Sequence, residues 1–178
     1  LTPQFSSAEL GFDIGWMGSW ADSKAFGKSM DAWMSGGGDI AAEFDEVIDC
    51  AAHELASAVV INAPDGAPEN GVVIFNGCEL QDGKSHRDAF EAHMKLGASM
   101  RESGSKASSW LFYPGMGSAT EYDYWRVVAF KSYSDLGEGL ETYTNGGGWE
   151  RIAKALDPVA SCGSSAVFDA RLVRTGAQ

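Results

Sequence analysis

The chain is short of basic residues and of long apolar runs, and both shortages exclude partners. It carries 13 Lys and Arg against 25 Asp and Glu, a formal net charge of −12 over 178 residues. With no basic stripe to neutralise phosphates, we expect no nucleic-acid partner and no anionic membrane surface. No segment approaches the roughly 18 uninterrupted apolar residues of a membrane-spanning helix. We therefore expect the chain neither to bind an anionic membrane surface nor to span a membrane.

Several catalytic and metal-binding motifs are also missing from the sequence. It contains no CxxC pair, no HExxH, no Gly-x-Ser-x-Gly elbow, no P-loop and no dinucleotide fingerprint. These absences predict no metal and no nucleotide cofactor. The balance of 44% hydrophobic and 21% charged residues is typical of a globular protein with a real core.

The most informative feature present is an internal repeat, in which each position n of the first part resembles position n+110. The matched pairs are Leu1 with Leu111, Phe12-Asp13 with Tyr122-Asp123, Trp20 with Phe130, Trp33 with Tyr143, and Gly36-Gly37-Gly38 with Gly146-Gly147-Gly148. The match then slips by two places, so that Val47 pairs with Val159 and Cys50 with Cys162. Aromatic matching aromatic at one spacing indicates duplicated supersecondary units.

The repeat predicts how the chain is divided. Residues 71–174 form a complete unit, and residues 1–63 match only the second half of such a unit. Because Leu1 aligns with a residue well inside the complete copy, we expect a missing front equivalent to residues 71–110. The prediction is thus a half repeat followed by a whole one.

Hydrophobic periodicity predicts a βαββαβ order for the complete unit. The strands are expected near 72–80, 107–113, 122–131 and 166–173, with a helix over 85–103 and a broken helix over 134–144 and 149–156. The half unit is expected to supply a strand over 11–20, a broken helix over 24–34 and 39–49, and a strand over 56–62. This order predicts an α+β fold, with an antiparallel sheet and its helices on one face in a ferredoxin-like arrangement.

Such tandem units resemble the dimeric α/β-barrel superfamily, which includes the antibiotic-biosynthesis-monooxygenase-like, EthD-like and NIPSNAP-like domains. Three segments carry the resemblance: Gly83-Lys84-Ser85 with Asp88, Tyr122-Asp123-Tyr124-Trp125, and Gly146-Gly147-Gly148. The resemblance implies that sheets pair face to face, and one and a half copies would leave sheet surface uncovered. We therefore expect a homo-oligomer that associates through sheet faces.

Three cysteines leave two interpretations open. In a βαββαβ sheet the last strand lies antiparallel to the first, which brings Cys162 near Cys78 and makes a disulfide between them feasible. The alternative is that Cys50, Cys78 and Cys162 are all reduced, buried small residues. A bridge would favour a periplasmic or secreted location, and reduced thiols a cytoplasmic one.

The candidate site residues are polar groups and rings expected around one sheet. His93, on the apolar stripe of the first helix, and Asn76, on the first strand, are the catalytic candidates. The ligand-binding candidates are Trp110, Tyr113, Tyr124 and Trp125, which would suit a small planar, apolar or aromatic ligand. The competing interpretation is that His93 is a hydrogen-bonded core residue and that the rings only fill the interior.

Three functions remain open from the sequence. The first is a small-molecule-binding or oligomeric barrel without a catalytic motif. The second, implied by the monooxygenase resemblance, is a cofactor-independent oxygenase with His93 as base and Asn76 as polar anchor. The third is a haem-binding or haem-degrading barrel in which His93 faces an open cavity. A pocket lined by His93, Asn76, Tyr124 and Trp125 would favour the second or third function, and a ring-packed interior would favour the first.

Overall fold

The computed structural model describes residues 1–6, 11–50, 52–67 and 69–175. Its chain divides into two compact units. The sheet unit comprises Leu1–Ile14 with Glu54–Gln178, and the helical unit comprises Gly15–His53. The compact units do not follow the predicted repeat boundary at residue 63, because the strands on either side of the helical unit belong to the sheet.

The sheet unit is built on one seven-stranded antiparallel sheet. Its strands are β1 (Thr2–Phe5), β2 (Ala56–Asn62), β3 (Gly71–Leu80), β4 (Ser108–Pro114), β5 (Tyr124–Phe130), β6 (Ala160–Cys162) and β7 (Ala166–Ala170). Six strands lie in the order β1-β7-β3-β5-β4-β2, and β6 pairs with the end of β3. The α+β class predicted from the sequence is therefore present, with β3 and β5 at the centre.

Five helices accompany the sheet among the described residues. They are α1 (Ser23–Gly36), α2 (Gly38–Asp45), α3 (His86–Glu102), α4 (Tyr133–Thr144) and α5 (Gly148–Leu156). Tyr124 contacts α3 and Phe130 contacts α4, and these two residues point to the same side of β5. Because α5 packs on α3, all three helices of the sheet unit lie on this side, which we call the helix-facing side.

Local sequence accounts for the helix boundaries. Ser85 and Asp88 form a reciprocal capping box that begins α3. Between α4 and α5, Gly147 has φ +68°, a conformation that glycine adopts without steric cost. The predicted break in the second helix is therefore present, and it lies at Asn145–Gly147.

The core lies between the sheet and these three helices. One cluster surrounds Tyr124, Leu111 and Ala89, and a second joins Leu96 of α3 to Leu156 of α5. Within the sheet itself, the side chains of Val72 and Val127 at its centre are nearly inaccessible. Side chains of β5 alternate between the two sides of the sheet, as the period of two along a strand requires.

The strand predicted over 11–20 is wrong, because none of these residues forms regular structure. The strand that this segment matches in sequence, β5, is hydrogen-bonded on both edges, to β3 and to β4. Residues 11–20 belong to no β-ladder, and an extended segment is stable as a strand only within such pairing. The broken helix predicted after it does form, as α1 and α2 on either side of Gly37.

Candidate functional site

A buried histidine and tyrosine meet on the helix-facing side. His93 is 3% exposed on α3, and its Nε2 lies 3.0 Å from the hydroxyl of Tyr124, which is fully buried on β5. The two rings meet edge to face with centroids 5.6 Å apart. His93 is therefore a hydrogen-bonded core residue in this structure.

Burial sets the protonation of this pair. It lowers the pKa of His93 to about 3, and the positive charge of Arg126 acts in the same direction. Burial also raises the pKa of Tyr124. Both groups are consequently neutral at neutral pH, and either the ring N–H or the phenol O–H donates the hydrogen bond between them.

Asn76 lies on the same side of β3 and anchors a loop. Its Nδ2 donates to the carbonyl oxygen of Gly163 at 3.2 Å and to Oγ of Ser165 at 2.7 Å. Its Oδ1 accepts from Nη1 of Arg126 at 3.4 Å. Asn76 is 6% exposed, so both ends of its amide are engaged within the chain and hold the β6–β7 connection.

The disulfide between Cys78 and Cys162 is present in the structure, and it closes this end of the sheet. These residues face each other across β3 and β6, while Cys78 also lies opposite Tyr124 across β3 and β5. Cys50 is a free, exposed cysteine. Of the two interpretations that the sequence left open, the structure contains the bridged one.

The four predicted ligand-binding rings do not share one cleft. Tyr113 and Tyr124 lie on the helix-facing side, with ring centroids 6.2 Å apart. Trp125 contacts Phe75 on the opposite side, and strand alternation places Trp110 there too. The single cleft expected from the sequence is therefore wrong, because adjacent strand residues such as Tyr124 and Trp125 must point to opposite faces.

The second side of the sheet, which we call the open face, is apolar and aromatic. Its apolar residues are Ala58, Val60, Val73, Phe75, Trp110, Phe112, Trp125, Val127, Ala129, Ala166 and Phe168. Phe75 makes edge-to-face contacts with Phe112, Trp125 and Phe168 at centroid distances of 5.6–6.5 Å. Strand alternation also places Ser108 and the exposed Glu79, at the end of β3, on this side.

Close packing at one edge of the open face depends on a glycine. A Cβ on Gly77 would lie 2.3 Å from the ring of Tyr122. Tyr122 in turn packs edge to face on Trp125 at 5.0 Å. Any larger residue at position 77 would displace this pair of rings.

Two concavities of the described surface lie away from the predicted site. One of about 320 Å³ lies between α3 and α5 and is lined by residues that include Glu91, Lys95 and Lys154. The other, of about 60 Å³, lies beside Lys106, whose ammonium group pairs with Asp135 and Glu138. Neither includes His93, Asn76 or any of the four predicted rings.

Sequence reasoning missed Arg126 as a member of the buried polar cluster. Arg126 is half-buried, contacts Asn76 and contributes to the electrostatics of His93. Burial lowers the pKa of Arg126 itself. Its position two residues after Tyr124 on a strand was the available signal, since such residues share a face.

Neither a metal-binding group, nor a membrane-spanning helix, nor a similar known protein helps to define the site. The described part of the chain holds no group of three or more His, Cys, Asp or Glu that could bind a metal ion. None of the helices in that part combines the length and apolarity needed to cross a membrane. Comparison of the chain with protein-family models, with curated proteins and with solved structures yields no match.

Proposed function

We propose that this protein is a ferredoxin-like assembly and binding module that acts through the open face of its sheet. The order β7-β3-β5-β4 supports the ferredoxin-like part, because it places the fourth, first, third and second strands of the βαββαβ unit side by side. Helices α3 and α4 pack on one side of these strands, as that fold requires. The dimeric α/β-barrel resemblance remains part of this proposal.

Element positions support the proposed duplication. Three pairs of elements begin at one constant offset along the chain: α1 and α4 at Ser23 and Tyr133, α2 and α5 at Gly38 and Gly148, and β2 and β7 at Ala56 and Ala166. The residues that cap the first helix of each pair, Asp22 and Ser132, keep the same offset. Three independent element starts at one offset are what a duplicated strand and broken-helix segment produces.

The observation that carries the proposed function is the cluster of aromatic side chains at the centre of the open face. Phe75, Trp110, Phe112 and Trp125 are only half-buried, and aromatic side chains gain most when fully removed from water. An identical face on a second copy offers a self-complementary surface of the same chemistry. The proposed state is a homo-oligomer with paired sheets, able to hold a small apolar or aromatic ligand between them.

A charge placed on the open face tests this assembly. Val60→Lys, at a side chain 50% exposed, and Trp110→Lys should each convert the oligomer to a monomer, because a lysine would lose its hydration between the two sheets. Sedimentation velocity of the wild type and both variants measures the outcome. Leu140→Lys, at a 55% exposed position on α4, is the matched control and should leave the oligomer intact. A monomeric wild type at micromolar concentration would contradict the proposal.

The monooxygenase resemblance supports a second function. The cofactor-independent oxygenase would use His93 as base on an aromatic substrate with Asn76 as the anchor, and it would need His93 to become exposed and its pKa to rise toward the working pH. Oxygen uptake with a panel of polyphenols, lost in His93→Ala, would establish this activity. A Soret shift of haemin that is lost in the same variant would establish haem binding instead. Neither signal is expected if the open face is the functional surface.

The disulfide supports a proposed location. Bridges such as Cys78–Cys162 persist in oxidising compartments and are reduced in most cytosols. We therefore propose a periplasmic or extracellular location. Alkylation of the protein in intact cells, followed by mass spectrometry, should find Cys78 and Cys162 unmodified.

A further inference from the structure

The helical unit exposes an apolar row whose counterpart in the complete copy is packed. In the complete copy, Ile152 and Val159 pack beside buried Leu156 against Ala92 and Leu96 of α3. With the two-place slip, the equivalent residues of the helical unit are Ile40, Phe44 and Val47. These three are 52%, 42% and 77% exposed. Phe44 contacts Trp16 edge to face at 6.4 Å, and the described residues of the helical unit include no helix in the role of α3. The same types of apolar residue thus recur in the same order with most of their surface exposed.

The helical unit exposes much apolar area, the row included. Among its described residues, nine large apolar side chains are exposed, such as Trp33 at 43% and Met34 at 78%. Given the roughly 150–250 Å² that a buried aromatic ring covers, they present on the order of 1,000 Å² over the whole unit. A typical specific interface buries about 800 Å² on each partner. Neither α1 nor α2 contains a buried residue.

We propose that the apolar row of Ile40, Phe44 and Val47 is a docking surface for a strand–helix segment of the same kind as residues 71–102, supplied by another stretch of polypeptide. The helix of that partner would present small and branched apolar residues at the spacing of Ala89, Ala92 and Leu96, as α3 does toward the core and α5. The inference rests on the proposed duplication, since the matched positions identify the partner.

A fused copy of the matching segment tests the inference in the full chain. A second copy of residues 71–110 is joined directly ahead of Leu1, the position at which the repeat alignment would place it. Hydrogen exchange of the amides in α1 and α2, followed by mass spectrometry, is the measurement. Exchange should slow at least tenfold in the fused chain, because the docked helices bury their backbone and side chains.

Three variants make this result specific. In the fused chain, Phe44→Asp should restore the fast exchange, while Leu140→Asp in the complete copy should keep the protection. Within the fused copy, Ala92→Asp with Leu96→Asp should also abolish protection. Unchanged exchange in the fused chain, or protection that survives these copy variants, would overturn the inference.

A second copy of the whole chain is the alternative occupant. In a second copy, residues 71–102 are already packed within its own sheet unit, so a second copy would have to dock through another surface. If the unfused protein shows protection of α1 and α2 that rises with concentration and is lost in Phe44→Asp, the occupant is such a copy and the inference is overturned. A failure of the open-face proposal would be detected by sedimentation and not by hydrogen exchange in α1 and α2. Val60→Lys and Trp110→Lys change sedimentation but should not change exchange in α1 and α2.

Discussion

At the scale of single residues, the buried polar groups of this protein form hydrogen bonds within the chain. His93 bonds to Tyr124, and Asn76 bonds to Arg126 and to the β6–β7 loop. A buried polar group without a partner costs about 1–3 kcal/mol, which explains why these side chains occur together. Their types were identified from the sequence, but their partners were not, because each bond joins residues at least 31 positions apart.

The lowered pKa of His93 predicts how stability depends on pH. The unfolded state binds a proton near pH 6.5 and the folded state only near pH 3, so the unfolded state gains protons first as the pH falls. Stability should therefore be full above pH 6.5 and decline between pH 6.5 and 3. From pH 6.5 to 4.5 the loss should be on the order of 2 kcal/mol, measured by urea unfolding at each pH.

Two substitutions separate His93 from the other titrating groups. His93→Gln should flatten the decline over pH 6.5 to 4.5, whatever it does to stability at pH 7. His86→Gln changes an exposed histidine on the same helix and should keep the wild-type slope. Equal slopes in wild type and His93→Gln would show that His93 is not the group responsible.

At the scale of elements, hydrophobic period and capping residues predicted most helices and strands. α3 extends over His86–Glu102 against a predicted 85–103, and the glycine-rich break separates α4 from α5. The misses are β1 and the three-residue β6, which were not predicted, and the false strand over 11–20. All three depend on a pairing partner, which is a property of the sheet and is absent from the local pattern.

The disulfide is the covalent link between elements, and its loss should be costly. It joins β3 to β6 across 84 residues of sequence, and closing a loop of that length stabilises a fold by about 2–4 kcal/mol. Cys78→Ser with Cys162→Ser should lower the free energy of unfolding by this amount in guanidinium titrations. The change acts largely on the unfolded chain, so the sheet should still form.

Cys50 provides the control for the disulfide. Cys50→Ser should leave the unfolding midpoint unchanged, because this thiol is exposed and free. Alkylation of the unfolded, unreduced wild type should modify one cysteine, and alkylation after reduction should modify three. Three modified cysteines without reductant would contradict the bridge.

At the scale of the whole molecule, the net charge opposes self-association, whereas burial of the apolar open face favours it. Two copies that pair their open faces bring two charges of −12 together, and Glu79 at the end of β3 lies on the paired side. Salt at 0.5 M screens this repulsion over a few ångströms, so self-association should strengthen with salt. Sedimentation equilibrium at 0.02 M and 0.5 M NaCl should show at least a tenfold lower dissociation constant at high salt.

The opposite salt response would identify a different interface. Association held by ion pairs would weaken as salt is added, and it would then be insensitive to Trp110→Lys. The matched variant Leu140→Lys changes the net charge by the same amount as Trp110→Lys. Comparing the two variants therefore separates the effect of net charge from the effect of a lysine on the open face.

The sequence by itself determined the α+β class of the fold and the glycine-rich break in the second helix, because both depend on patterns written in consecutive residues. It left open whether Cys78 and Cys162 are bridged, and the structure contains the bridge. Only the tertiary structure decided what surrounds Tyr124 and Trp125, with helices packed on the side of Tyr124 and aromatic side chains around Trp125 on the other. It alone placed β1 and β2 at the sheet edges, since strand pairing is chosen by contacts between distant parts of the chain.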